Sequence, residues 1–131
     1  MTLATADADG RPWATPVWFA NSGVEELLWV SEPGARHSRN IASRPEVAVA
    51  LFDSTVPPSR DAQAAYLEGI ASEVGADELP RCIAIFSRRS QTRGGRTWTV
   101  GDVSGAASLR LYRAAVTKRY TLEDGDRRVP A

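Results

Sequence analysis

The stretch LLWVSEPGARHSRNIASRPEVAVALFD, Leu27–Asp53, decides how the rest of the chain is read. Leu27–Ser31 is an apolar run of strand-forming residues. Ser31–Gly34 breaks it, and Ala35–Arg44 reads as a short helix that stops before Pro45, because a residue preceding proline disfavours the helical region. Val47, Val49 and Leu51 then alternate with alanines and lead into Phe52-Asp53, a strand with small residues on its second face. A strand followed at once by a helix start places Ser31 beside Arg36-His37-Ser38-Arg39-Asn40. The first turn of a helix exposes unpaired N–H groups and a partial positive charge, which suits an anion. Two arginines, a hydroxyl and an imidazole add charge-assisted donors, so a phosphate-bearing ligand is the natural occupant. The same residues also make an ordinary polar helix start, in which serine and asparagine satisfy local backbone groups.

Outward from this stretch, strand patterns dominate. Met1–Ala6 is a short β-tolerant run ended by Asp7-Ala8-Asp9-Gly10, and Asp-Gly is a strong hairpin signal. Pro12–Phe19 (PWATPVWF) reads as the returning strand, its prolines marking an edge or a bulge. Asn21-Ser22-Gly23 turns the chain into Leu27. Beyond Asp53, Ser54–Asp61 is a proline-containing loop. Ala64–Val74 is a strand with Tyr66, Glu68, Ile70 and Ser72 on one face, and Gly69 marks a bulge or a close backbone approach. Ala76–Arg88 has helical spacing, with Leu79, Cys82, Ile83 and Phe86 on its apolar face. Arg88–Gly105 reads as irregular, Ser108–Val116 as an alternating strand and Arg119–Leu122 as a last strand before a polar tail, DGDRRVPA. The fold class is mostly β with short helices: six to seven mainly antiparallel strands in a small barrel.

Composition narrows the function. At 131 residues the chain is expected to be a single domain, able to bury roughly two-thirds of its unfolded surface without a staple. Apolar residues make up 43% and charged residues 24%, which is ordinary globular usage. Sixteen basic residues balance sixteen acidic ones, so no global field draws the protein to nucleic acid or anionic lipid. Fifteen of the basic residues are arginines. The one lysine, Lys118, lies in a segment without other catalytic signals, which argues against Schiff-base chemistry. One cysteine, Cys82, excludes a disulfide framework, and its helix face makes it a core thiol. With one histidine, a His-rich metal site is impossible. No signal peptide and no apolar run of membrane-spanning length is visible, so a soluble, cytoplasmic protein is expected.

GxSxG, HExxH, P-loop and GxGxxG motifs are absent. The paired Glu25-Glu26 and Asp77-Glu78 read as solvated or capping residues. Trp13, Trp18, Trp29 and Trp98 suit the core or a dimer interface better than a stacked ligand. Arg88, Arg89, Arg93 and Arg96 around Gly94-Gly95 read as a solvated loop, with a second anion contact as the alternative. His37 is read as a donor to phosphate or solvent, since no carboxylate orients it as a general base.

Three segments give the sequence a family look: TLATADADGRPWATPVWF (Thr2–Phe19), the Leu27–Asp53 stretch, and YLEGIASEV (Tyr66–Val74), with SLRLYRAAVTKRYTL fitting the closing strands. In their order and spacing they resemble the pyridoxamine 5′-phosphate oxidase-like, flavin-binding split-barrel proteins. The resemblance implies a homodimeric split β-barrel that binds FMN in a groove between subunits. It places Thr15, Pro16, Val17 and Trp18 along the isoalloxazine ring, and Val30, Ser31, Arg36, His37 and Ser38 at the ribityl phosphate. Many members carry lysine where His37 stands, and the arginine–histidine pattern that grips vitamin B6 substrates is not recognisable near the C-terminus.

Three functions follow from the resemblance. The first is a flavin-dependent oxidoreductase passing hydride or electrons between a reduced nicotinamide and a small-molecule substrate, with the cofactor doing the redox chemistry. The second keeps the fold and takes the deazaflavin coenzyme, whose acidic tail the Arg88–Arg96 stretch would meet. The third is a non-enzymatic flavin-binding module. A nucleic-acid role is disfavoured by the balanced charge and the lack of aromatic–basic interleaving.

Overall fold

Thr2–Ala6 (β1) and Pro12–Pro16 (β2) form the first hairpin of the computed structural model, which describes residues 1–57, 63–123 and 127–131. Asp7 shapes the turn: its Oδ1 accepts the Asp9 and Arg11 N–H groups at 2.9 Å, and Gly10 takes the positive φ of +83° that the reversal needs. Then follow β3 (Ala20–Ser22), β4 (Glu26–Ser31), α1 (Arg36–Ser43), β5 (Glu46–Phe52), β6 (Ala64–Glu73), α2 (Leu79–Thr92), a 3-10 turn (Val100–Val103), β7 (Arg110–Leu122) and β8 (Arg128–Pro130).

The strands form one antiparallel sheet in the order β2-β1-β5-β6-β7-β4-β3, with β8 added beside β7. β2 and β3 are its opposite edges, yet they are neighbours in the chain. Val17 still exchanges backbone hydrogen bonds with Met1, at 3.0 and 3.1 Å, so only Trp18 and Phe19 separate the β2 side from Ala20 of β3. Three Cα–Cα steps reach at most about 11 Å. The sheet must therefore curl until its edges nearly meet, which makes the expected split barrel: a closure by covalent chain, with no ladder across the seam.

Several expectations are corrected in detail. Among the described residues there are eight strands, where six to seven were expected. PWATPVWF is not one strand: it leaves the ladder after Pro16 to cross the seam. Arg88–Gly105 is not irregular throughout, since α2 continues to Thr92 and Val100–Val103 forms a turn boxed by Thr99 and Asp102. Ser108–Val116 and Arg119–Leu122 are parts of the single thirteen-residue β7, and the tail supplies β8. Part of the predicted Ser54–Asp61 loop and residues 124–126 of the tail lie outside the described residues.

Two apolar clusters lie on opposite faces of the sheet, and β4 feeds both. Leu27 and Trp29 point into the barrel with Leu3, Val49, Tyr112 and Ile41 of α1. Leu28 points the other way, into a layer with Leu79, Cys82, Ile83 and Phe86 of α2. The predicted helix face is therefore the buried one, and Cys82 is a fully buried thiol whose pKa burial pushes up. Each such side chain contributes about 1.5–3 kcal/mol on leaving water. Glu78 is exposed at the cap position of α2, as expected, and with the more buried Glu26 it closes a ring with Arg81 and Arg113, at 2.6–3.8 Å, that ties α2 to β4 and β7.

Gly69 fulfils both expectations for it. The β6–β7 register shifts between Glu68 and Gly69, and a Cβ at Gly69 would stand 2.7 Å from the Ala115 carbonyl oxygen. Gly69→Ala is expected to lower stability by about 1–3 kcal/mol, since backbone must move to admit the methyl. Urea unfolding checks this, and an unchanged midpoint would contradict the close approach.

Candidate functional site

The residues expected to meet an anion gather where α1 meets the first hairpin. Asn40 is buried and donates from Nδ2 to the Thr5 hydroxyl at 3.0 Å, while Ile41 enters the barrel core. Asn40 is thus an anchor for the helix. One turn earlier on the same face stands Arg36. The residue opposite Thr5 on β2 is Trp13, and the Arg36 guanidinium carbon lies 4.3 Å from the centroid of its indole ring. A helix pair, Arg36 and Asn40, is seated on a cross-strand pair, Trp13 and Thr5.

The first turn of α1 is uncapped. Ala35 occupies the cap position without a side-chain hydrogen bond, and no acidic residue sits in the turn. The Arg36, His37 and Ser38 N–H groups precede the first helical bond, Arg39 N–H to the Ala35 carbonyl. Ser38 is 3% exposed, and its Oγ has no hydrogen-bond partner of sound geometry among the described residues. Burial pushes the nearby Tyr112 phenol up, and the Ser38 hydroxyl pulls the other way. Arg39 is turned back onto the Gly34 carbonyl at 2.6 Å.

Ser31, the buried end of β4, meets His37: Oγ and Nε2 are 2.7 Å apart. Burial holds the imidazolium below its ordinary pKa, so the ring is neutral near pH 7. No carboxylate hydrogen-bonds the ring among the described residues. Val30 also borders this end, but its side chain packs on the α2 layer and not at the site.

The predicted ring strip lies along β2 and its exit. Thr15 pairs with Leu3 and Val17 packs against the barrel core, so both face inward. Pro16 is exposed, and Trp18 is 83% exposed at the seam. A groove of about 1490 Å³ opens at the far end among Met1, Pro16, Phe19, Phe52 and Thr121, and reaches the strip at Pro16. The site's chemistry lies at the other end, where the donors gather. Arg36 on Trp13 joins the two halves of the predicted site, since Trp13 precedes Thr15 by two residues on one strand. Sequence reasoning missed this role for Trp13; the Asp-Gly turn that sets its register opposite Thr5 was the available signal.

The basic stretch does not join this site within the chain. It follows from α2, on the opposite face of β4, and Arg96 is held by Asp102 at 3.3 Å and by the Trp98 ring at 3.8 Å. Lys118 is paired with Glu68 at 3.2 Å, which raises its pKa. No helix is long and apolar enough to cross a membrane, and among the described residues no three His, Cys, Asp or Glu side chains gather as metal ligands.

A sheet curled until its two edge strands are joined by Trp18 and Phe19 alone defines a split-barrel class of protein. Residues 1–122 match the family model described as pyridoxamine 5′-phosphate oxidase, and the chain belongs to that family. No curated protein is similar enough in sequence to match. Among solved structures, a heme binding protein from Mycobacterium smegmatis is similar with a TM-score of 0.78 at 21% identity. The alignment covers 99% of this chain and 51% of that one, so the chain spans about half of that protein's length. The heme storage protein HutZ from Vibrio cholerae is similar at 0.70 and 26% identity, over 89% of this chain and 80% of that one. An F420 reductase is similar at 0.64 and 22% identity, over 90% and 86%.

As His37 is the one histidine, its titration is readable by proton NMR without assignment. Its pKa is expected below the ordinary 6.5 in the free protein. An anion at the α1 start favours the imidazolium, so saturating sulfate, whose charge is constant over this range, is expected to raise that pKa. The free protein is correspondingly expected to lose stability as pH falls through the lowered value. A free-protein pKa at or above 6.5 would contradict the burial of the ring.

Proposed function

We propose that this protein binds FMN with its phosphate at the start of α1, and acts as a flavin-dependent oxidoreductase on a small molecule. The observation that carries the reading is an uncapped helical turn that holds the buried Ser38 hydroxyl beside Arg36, an arginine with no hydrogen bond or ion pair among the described residues. Together these supply the neutral and charged donors that a phosphate dianion takes up. Arg36, Ser38 and the first-turn N–H groups hold the phosphate, and the Ser31–His37 pair closes its side.

FMN, when bound, supplies the hydride and electron chemistry. The chain's own residues bind, orient and shield. Thr15–Trp18 run beside the ring, with Thr15 and Val17 anchored to β1 and the barrel while Pro16 and Trp18 stay at the surface. No side-chain acid or base is required, which agrees with the absence of catalytic motifs. The second substrate is a reduced nicotinamide or another small donor.

The deazaflavin coenzyme is the second reading, supported by the similarity to an F420 reductase. The placement of the Arg88–Arg96 stretch across the sheet from α1 favours FMN over it. For haem, the one available imidazole is His37, whose Nε2 is already engaged by Ser31.

Titration of the purified protein with FMN, the deazaflavin coenzyme and haemin, followed by absorbance and flavin fluorescence, tests the assignment. Saturable one-to-one FMN binding is expected. Arg36→Ala with Ser38→Ala is expected to weaken it at least about tenfold, by loss of charge-assisted and neutral donors, with unchanged far-UV circular dichroism. Unchanged FMN affinity in that variant would sink the phosphate assignment. Selective binding of deazaflavin or haemin would replace the cofactor.

The groove-sharing homodimer is part of the same proposal. Trp18 at 83% and Phe52 at 64% exposure leave large apolar rings in water, the kind of surface a second copy covers. Sedimentation is expected to give a dimer and Trp18→Glu to shift it towards monomer. A monomeric wild-type protein at micromolar concentration would overturn this element.

A further inference from the structure

Arg36 differs from its neighbouring arginines. Arg39 donates to the Gly34 carbonyl and Arg44 to the Ala8 carbonyl, both at the protein's own expense of donors. Arg36 makes no side-chain hydrogen bond or ion pair among the described residues; the Asp7 carboxylate feels its charge only from beyond ion-pair distance, and its close contact is the Trp13 ring 4.3 Å away. A guanidinium resting on an aromatic face uses its π surface and keeps its in-plane N–H donors for an anion. An arginine fixed by a carboxylate would instead have its fork occupied and its charge neutralised.

The seat is itself rigid. Trp13 stands opposite Thr5 in the β1–β2 ladder, and Thr5 is the residue that Asn40 grips. Guanidinium, indole, hydroxyl and amide thus form a closed rectangle: two corners on α1, two on the hairpin. The ring can set where Arg36 stands relative to the Ser38 hydroxyl and the first-turn N–H groups. An unsupported arginine would lose rotamer freedom on binding the anion, which weakens the interaction.

We propose that Trp13 is a positioning residue for phosphate: its indole holds the Arg36 guanidinium over the α1 start with the donors free. This rests on the phosphate reading above and goes beyond it, because Trp13 acts through Arg36 and not by stacking on the flavin ring. The residue that prepares the phosphate site then lies on the strand that borders the ring, so occupancy at one end is coupled to the placement of the other.

The test compares FMN with riboflavin, which lacks the phosphate, by flavin fluorescence titration of wild type, Trp13→Ala, Trp13→Phe, Arg36→Ala and the Trp13→Ala/Arg36→Ala double variant. Trp13→Ala is expected to weaken FMN about two- to fivefold, the worth of an exposed cation–π contact, and to leave riboflavin unchanged. Trp13→Phe is expected to recover part of the loss, because a ring face remains. In the Arg36→Ala background the Trp13 effect is expected to vanish. Equal losses for FMN and riboflavin, or a Trp13 effect that persists without Arg36, would mean that the indole touches the flavin and would overturn the proposal. So would a Trp13→Ala protein with wild-type FMN affinity while Arg36→Ala is weakened; that pattern leaves the phosphate site standing. If wild type does not prefer FMN to riboflavin, the phosphate reading fails first and takes this proposal with it.

Discussion

The two-residue crossing at Trp18 and Phe19 is the constraint on which the rest of the structure depends. An eight-stranded open sheet has no reason of its own to bring its outer strands together. Here the outer strands are consecutive, and the link between them is too short to permit anything but curling. Curling gives the sheet a concave face, and that face becomes the barrel core around Trp29, Leu3 and Tyr112. The convex side is left to α2, whose Leu79, Cys82, Ile83 and Phe86 cover Leu28 and Leu111. β4 serves both sides, so its near-continuous apolar run is the signature of a strand buried on two faces.

The site follows from the same geometry. Pulling β2 and β1 into the curl brings the hairpin under α1, and one asparagine fixes the register between helix and hairpin. Once Asn40 is on Thr5, helical spacing delivers Arg36 to Trp13, and the connection from β4 delivers His37 to Ser31. All three contacts join residues of regular elements, α1 to β1, β2 and β4. The helix start is held by its last turns, which leaves the first turn free to remain uncapped.

Much of this was legible in the sequence. The strand–turn–helix–strand reading of Leu27–Asp53, the Asp-Gly hairpin, the proline-marked edge, the Gly69 bulge and the apolar face of α2 rest on local signals, and the structure carries them all. The errors share a cause in non-local geometry. PWATPVWF is uniformly strand-like, so nothing within it announces that Pro16 ends one edge and Ala20 begins the other. β7 was divided because Thr117-Lys118 is polar, although a strand flanked by neighbours at successive positions tolerates exposed residues on its outer face. Arg88 and Arg89 read as loop through their charge, yet they extend an amphipathic helix into solvent. Val30 shows the limit of naming a site by segment, since alternation turns its side chain away from Ser31. Trp13 went unnoticed because its role needs a helix and a hairpin that only the curl brings together.

The two prolines of β2 have a consequence for assembly. Met1 and Val17, and Asp7 and Arg11, bond across the β1–β2 ladder, so by alternation Thr15 and Trp13 also turn their backbone groups towards β1. Pro12, Ala14 and Pro16 turn theirs away, and of these Ala14 alone has an N–H to offer. An edge with a single donor along five residues is a poor template, and no incoming strand can zip onto it. The β2 side of the seam is thereby a poor start for a fibre or a continuous intermolecular sheet. What this edge presents outward is indole and pyrrolidine surface in place of a row of backbone donors.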